Sequence, residues 1–179
     1  MELLCINCCW TTDNWLTFIS LIFVVIGGCF ALWQWKKNNK IKQAEFFNQI
    51  IEKLRFDENL SQIMYVVDYN QQWYSKSFHN NDKEFENTID KLFSYLDYVC
   101  YLNETNVITK NEFKIFKYEI NRVCISVSTK YYLWNLYHFS KKNNTDCSFQ
   151  YLIDYAIKNK LFPKNFKNNT ELYEKTLNW

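Results

Sequence analysis

Residues 14–35 read NWLTFISLIFVVIGGCFALWQW and contain no charged side chain. As an α-helix this segment is roughly 33 Å long, which matches the ~30 Å hydrocarbon core of a bilayer. Tryptophans stand at both ends of the segment, where indole rings meet lipid head groups in membrane proteins. These tryptophans are Trp10, Trp15, Trp33 and Trp35. The segment therefore predicts a single membrane-spanning helix.

The charges on the two sides of this segment differ. Residues 1–13 carry two acidic side chains and no Lys or Arg, whereas residues 36–42, KKNNKIK, carry four lysines. A cleaved secretory signal needs a basic region before its apolar stretch, so the pattern argues against one. Positive charge stays on the cytoplasmic side. We expect residues 1–13 outside the cytoplasm, 14–35 in the membrane and 36–179 as a cytoplasmic domain.

One face of the predicted span differs from the others. Alternating steps of three and four residues along this face give side chains that, apart from one valine, are small or polar. We call this set the polar stripe. It consists of Asp13, Thr17, Ser20, Val24, Gly27, Ala31, Gln34 and Asn38. The other faces carry large apolar side chains that suit lipid, so the helix is sided.

Three interpretations of the polar stripe remain open. It lines an aqueous pore within a ring of helices, or it packs dry against another helix through Gly27 and Ala31, or the helix is a plain anchor. Gln34 and Asn38 are too bulky for the tightest packing, which favours the pore. In that interpretation Lys36, Lys37 and Lys40 form charged rings at the cytoplasmic mouth.

The composition restricts the fold of the remaining chain. Two Gly and one Pro in 179 residues leave little for hairpins or phosphate-binding loops, which excludes β-sandwich, Rossmann and P-loop proteins. A formal net charge of +2 with only two arginines argues against an extended nucleic-acid groove. Four or five amphipathic segments with short polar connections predict an all-α antiparallel bundle.

Capping residues and apolar stripes locate the helices. Asp57 and Asp82 are predicted N-caps, and Thr109 with Glu112 predicts a capping box. The helix after this box is predicted to be the longest of the bundle, with one stripe from Phe113 through Val127 and Tyr131 to Trp134. Further helices are predicted over 147–161 and 170–179. Cys100, Cys124 and Cys147 are predicted as reduced, mostly core residues.

The sequence shows no pattern for catalysis, a metal or a cofactor. It contains no HExxH motif, no zinc-type Cys or His spacing and no nucleophile elbow. His79 lies in a predicted loop. His138 lies by the apolar stripe, where a structural role is favoured over a ligand or general base. The N-terminal cluster Cys5, Cys8 and Cys9 is open to two interpretations, unpaired thiols or cross-links between subunits.

A short outer N-terminus, one membrane helix, the exit KKNNKIK and an aromatic-rich bundle together resemble the small membrane-anchored accessory protein of type VI-B CRISPR systems. The resemblance covers essentially the whole chain and rests on architecture and length. It implies a bacterial inner-membrane protein whose cytoplasmic part is a divergent HEPN-like helical domain.

The resemblance also bears on ribonuclease activity. HEPN-type ribonucleases carry an Arg, then a polar residue, and a His separated from the Arg by four to six residues. Arg122 is followed by VCISVS with no such His, and Arg55 has none either. His138 lies roughly 24 Å further along one continuous helix. A ribonuclease using Arg122 or His138 across subunits is therefore the alternative, as is a non-catalytic adaptor, and a structural use of the fold is favoured.

For function, the resemblance implies a ring-shaped homo-oligomeric membrane pore. The pore would compromise the membrane when the RNA-guided effector detects foreign RNA, and so strengthen antiviral defence. The partners implied are further copies of the chain, the lipid bilayer and, functionally, the effector. Direct binding of RNA stays open.

Overall fold

The protein is described by a computed structural model over residues 12–69, 72–75, 78 and 83–170. Within these residues there are six named α-helices and no β-strand, which confirms the all-α fold. The helices are α1 (Thr12–Phe56), α2 (Glu58–Asp68), α3 (Lys83–Glu104), α4 (Lys110–Ile125), α5 (Val127–Lys142) and α6 (Gln150–Lys158).

Helix α1 is 45 residues long and has no break, so the apolar segment continues directly into the following polar turns. Among the helices of the described residues, α1 is long and apolar enough to cross a membrane. No part of its most apolar stretch is buried within the chain. The chain divides into two compact units at Asn48 and Gln49, inside α1. The last turns of α1 therefore belong to the second unit.

Polar caps start two of the helices as the sequence predicts. The Asp57 carboxylate accepts hydrogen bonds from the backbone N–H groups of Asn59 at 3.0 Å and Leu60 at 3.2 Å, which starts α2. At α4 the capping box is complete, since Thr109 and Glu112 each bond the other's backbone N–H. The predicted cap Asp82 lies outside the described residues, as do the loop residue His79 and the predicted helix beyond residue 170.

Helix α3 is the centre of the second unit. It packs against α2, α4 and α6, and α4 packs in turn against α2 and α5. The apolar face of α3 is buried as its periodicity predicts, with Ile89, Leu92, Phe93, Leu96 and Val99 at 0% exposure. Cys100 and Cys124 are also buried, as predicted, and Cys147 is half-buried.

Aromatic side chains fill one end of this core. Their rings meet mostly edge to face, with Tyr132 5.6 Å from Trp73 and 5.7 Å from Phe78 between ring centroids. Such arrangements match the positive edge of one ring to the negative face of another. The described rings of this cluster are Trp73, Tyr74, Phe78, Phe85, Phe93, Tyr132 and Phe149.

The prediction of one long helix from Thr109 past Trp134 is wrong. The backbone of Ser126 is extended, at φ −56° and ψ 131°, so α4 ends at Ile125 and α5 begins at Val127. The break shifts the phase of the buried face. Val127 and Tyr131, predicted in the core, are 54% and 39% exposed, while Ser128, Thr129 and Tyr132 are buried instead. The last predicted bundle helix, 147–161, is shorter than expected, at Gln150–Lys158.

Candidate pore-lining face of the membrane helix

The residues of the polar stripe lie along one side of α1. Because α1 is an unbroken α-helix from Thr12, residues at steps of three and four lie within one sector of its surface. Every residue of the stripe is exposed in the single chain. The structure therefore places the eight side chains together along one side of the helix, and no described part of this chain covers them.

The two hydroxyl groups of the stripe are satisfied within the helix. Thr17 Oγ1 donates a hydrogen bond to the carbonyl oxygen of Asp13 at 2.9 Å, and Ser20 Oγ donates one to the carbonyl oxygen of Thr17 at 2.8 Å. Such bonds back to the preceding turn lower the cost of a hydroxyl in an apolar surrounding. Thr17 and Ser20 are therefore compatible with lipid, a packed helix or water.

The two amides at the other end of the stripe differ from these hydroxyls. Within the described residues, the side chains of Gln34 and Asn38 have no hydrogen-bond partner. An amide carries two N–H donors and a carbonyl acceptor, and leaving them unpaired in hydrocarbon costs several kcal/mol, roughly 2–7. Gln34 is the next-to-last residue of the predicted span and Asn38 lies beyond it among lysines, so water at the membrane surface is within reach of both amides.

The glycine on the stripe is not needed by the single chain. A Cβ atom built at Gly27 meets no atom within 4 Å, and the same holds for Gly28 on a neighbouring face. Glycine costs about 1 kcal/mol relative to alanine inside a helix. No contact in the described part of the chain offsets that cost at Gly27. A glycine at this position would allow another helix to approach closely, or would widen a lumen.

The continuous helix separates the three predicted mouth lysines from the polar stripe. At about 100° per residue, Lys36 and Lys40 lie roughly 160° away from the centre of the stripe. Lys37 Nζ sits over the ring of Trp33, 5.6 Å from its centroid, on the side assigned to lipid. In the single helix Lys36 and Lys40 therefore face away from the stripe, and the assignment of the three lysines to a pore mouth stays a prediction.

Two charged residues that the sequence analysis missed do lie on the stripe. The alternation continues after Asn38 with Ile41 and Glu45, and Lys42 lies one turn after Asn38; Lys42 and Glu45 are exposed and lie in the same unit as the apolar segment. Their position around the helix could have been found from the sequence by following the helical phase past the end of the apolar segment. Lys42 and Glu45 are the charges that follow the stripe.

Arg122, one half of the alternative ribonuclease pair, lies on the outer surface of α4. Its guanidinium stacks over Tyr118, 5.3 Å from the ring centroid, and Nη1 donates a hydrogen bond to the Tyr118 hydroxyl at 3.1 Å. The side chain is exposed. Arg122 is thus held by its own helix and points away from the core.

His138, the other half of the pair, is buried. It lies on α5, is 7% exposed and packs beside Trp134 and Tyr137, with ring centroids at 5.9 and 5.4 Å. Burial lowers the pKa of His138, and hydrogen bonds with the backbone of Phe166 and Asn169 act in the opposite direction. The structure places Arg122 outside and His138 inside, on two different helices, which does not assemble a site within one chain.

A cleft of about 440 Å³ in the second unit is lined by several charged side chains. Four lysines line it, of which Lys158 is paired with Glu104 at 3.6 Å. Asp154, also in the lining, bonds Lys167. Among the described residues there is no group of three or more His, Cys, Asp or Glu that could hold a metal ion. The cysteine cluster at 5–9 lies outside the described residues.

Comparison of the chain with family models, curated proteins and solved structures found no match.

Proposed function

We propose that this chain forms a homo-oligomeric membrane pore in which the polar stripe of α1 faces the lumen. Copies of α1 stand side by side across the bilayer, with large apolar side chains toward lipid. Water in the lumen hydrates the amides of Gln34 and Asn38. Lys42 and Glu45 continue the lumen surface on the cytoplasmic side, while Lys36, Lys37 and Lys40 face outward near the lipid head groups.

The sidedness of α1 carries this proposal, and the amides of Gln34 and Asn38 mark the cytoplasmic end of its polar stripe. They lie on the same face as Gly27 and Ala31, and no described residue of the chain pairs with them. Tight dry packing suits the small residues but not two amides of this size, whereas a wet lumen suits both.

The proposed orientation follows from charge. Four lysines follow the apolar segment and none precedes it, so the N-terminus lies outside the cytoplasm and the helical domain inside. Anionic lipid head groups attract lysines that face outward at this level, with roughly 1 kcal/mol for each such residue. Lys36 and Lys40 then hold the helix at a fixed depth.

The biological role that we propose is accessory to an RNA-guided effector of a type VI-B CRISPR system in a bacterial inner membrane. Its support is the resemblance in architecture and length described above. The pore opens after the effector detects foreign RNA, and loss of the membrane potential strengthens antiviral defence. The HEPN-like domain serves assembly and control of opening in this proposal.

A matched pair of asparagines tests the lumen assignment. Asn38 lies on the stripe and Asn39 lies about 100° away, and both are exposed. The full chain is reconstituted in liposomes loaded with an ion-sensitive dye. We expect Asn38→Leu to change ion flux severalfold and Asn39→Leu to leave it near wild type. Equal flux in both variants, with equal incorporation, contradicts the assignment.

The mass of the detergent-solubilised chain tests assembly separately. A ring gives one large, discrete species, and a plain anchor gives a monomer. In cells carrying an activated effector, we expect depolarisation with the wild-type chain and none with a chain lacking residues 14–35. Depolarisation that is independent of the chain contradicts the accessory role.

A further inference from the structure

The outer side of α4, opposite its buried face, carries large apolar side chains among polar ones. The buried face holds Phe113, Phe116, Ile120 and Val123. Three of the outward side chains are large and apolar, Ile115, Tyr118 and Ile125, exposed by 42%, 64% and 64%. Large apolar side chains grouped on the outer side of a helix mark a candidate contact surface.

Exposed apolar side chains also follow directly after the break, at the start of α5. Ser126 points inward and is buried, while the residues on either side of it, Ile125 and Val127, point outward. Tyr131 is exposed one turn further along α5. The break at Ser126, which moves Val127 and Tyr131 out of the core, is therefore what brings them to this surface. We call it the α4–α5 face. It consists of Ile115, Tyr118, Arg122, Ile125, Val127 and Tyr131.

Its composition matches the centre of a protein interface. Tyr, Arg and large aliphatic side chains are the residues that contribute most at such centres, and Lys and Glu are depleted there. Two cations, Lys114 and Arg122, are exposed on this side of α4, and the guanidinium of Arg122 is already held flat on Tyr118. A stacked guanidinium loses little freedom when a partner covers it.

The exposed area indicates what covers the face. The exposed fractions of its five apolar side chains correspond to on the order of 400–500 Å². A standard interface buries about 800 Å² on each partner, of which somewhat more than half, roughly 450 Å², is apolar. We propose that the α4–α5 face is a contact surface for a second copy of this chain.

This inference rests on the proposed function, because a pore needs several copies and the membrane supplies them at close range. Chains anchored side by side meet at a high effective concentration, so one contact of standard size is enough to hold neighbours together. The contact orders the helical domains around the ring, while the polar stripe orders the membrane helices.

A matched pair of valines tests the face. Val127 lies on it at 54% exposure, and Val107 lies in the α3–α4 connection at 47%. An aspartate at position 127 falls in the first turn of α5, where the helix dipole favours negative charge, so we expect Val127→Asp to fold, with unchanged helicity as the check. Burying that carboxylate between two copies is costly. The size distribution of the full chain in mild detergent is measured against concentration.

We expect Val127→Asp to raise the concentration needed for assembly by about tenfold or more, and Val107→Asp to leave it unchanged. Tyr131→Ser, a neutral change on the same face, is expected to weaken assembly in the same direction with unchanged helicity. Assembly that withstands both Val127→Asp and Tyr131→Ser overturns the inference while leaving the pore intact. A wild-type ring that passes no ions overturns the pore instead, and a monomeric wild type overturns both.

Discussion

The phenol of Tyr132 on α5 donates a hydrogen bond to Oδ1 of Asp90 on α3, joining residues 42 positions apart in the sequence. The ring of Tyr132 is fully buried in the aromatic cluster. Burial, and then the nearby Asp90 carboxylate, raise the pKa of the phenol far above its usual value of 10.0. The phenol therefore stays protonated and serves as the donor at every pH at which the domain is folded.

Removing this donor is expected to destabilise the helical domain. Tyr132→Phe keeps the ring in the cluster and leaves the partly buried Asp90 carboxylate without the phenol, at a cost of roughly 1–3 kcal/mol. Thermal unfolding followed by circular dichroism measures the change. Tyr131→Phe, next in the chain and exposed, is the control and should unfold like the wild type. Equal stability of the two variants contradicts the role given to this bond.

Local signals in the sequence predicted most of the helices. The 3–4 periodicity of α3 and the caps at Asp57 and Thr109 each act within one or two turns, so a single sequence records them. The break at Ser126 has no such signal. No Gly or Pro stands there, and the apolar stripe continues in phase to Tyr131 and Trp134. Tertiary packing of α5 on the aromatic cluster decides the break instead.

The candidate site, like the fold, could be predicted from the sequence only in part. The polar stripe followed from helical stepping alone, and the unbroken α1 preserves it. The lysines at 36, 37 and 40 were assigned to the mouth by their position along the chain and not by their phase around the helix. The contact of Lys37 with Trp33 shows the difference. Whether water or another copy of the chain forms hydrogen bonds with Gln34 and Asn38 depends on other molecules. The sequence of one chain therefore does not determine it.

The cap at Asp57 provides a stability prediction with a conservative control. Asp57→Ala removes the acceptor for two N–H groups at the start of α2, and we expect it to cost about 1 kcal/mol. Asp57→Asn keeps a side-chain oxygen in place and is expected to cost a few tenths of a kcal/mol at most, because Asn caps helices as well as Asp. Denaturant unfolding of the full chain in detergent separates them. A loss as large in Asp57→Asn as in Asp57→Ala contradicts capping.

The lowered pKa of His138 predicts how the stability of the folded chain changes below neutral pH. Its pKa is lowered in the folded chain, so unfolding takes up a proton once the pH falls below the usual value of 6.5. The stabilisation is present above that pH and is lost as the pH falls toward the lowered value. We expect the wild-type melting temperature to drop from pH 7.5 to pH 5.

The variant His138→Asn isolates this contribution from the carboxylates, which also titrate near pH 5. We expect it to be less stable than the wild type at pH 7.5, and to lose less of its remaining stability on acidification. Parallel pH profiles for the two proteins rule out the buried imidazole as the cause. Retained membrane flux in this variant at pH 7.5 is the expected result for a structural histidine.

Substitutions at Gly27 and Gly28 distinguish a water-filled lumen from dry packing between helices. Both have open space around an added Cβ in the single chain, so leucine at either position fits the isolated helix. Only Gly27 lies on the polar stripe. In a lumen, Gly27→Leu narrows the pore and is expected to reduce ion flux severalfold while the oligomer keeps its mass. In a dry helix contact, the same leucine forces backbones apart and the oligomer dissociates. Gly28 lies about 100° from Gly27, so Gly28→Leu is expected to change flux and mass less than Gly27→Leu, and an equal effect of the two variants contradicts a sided helix.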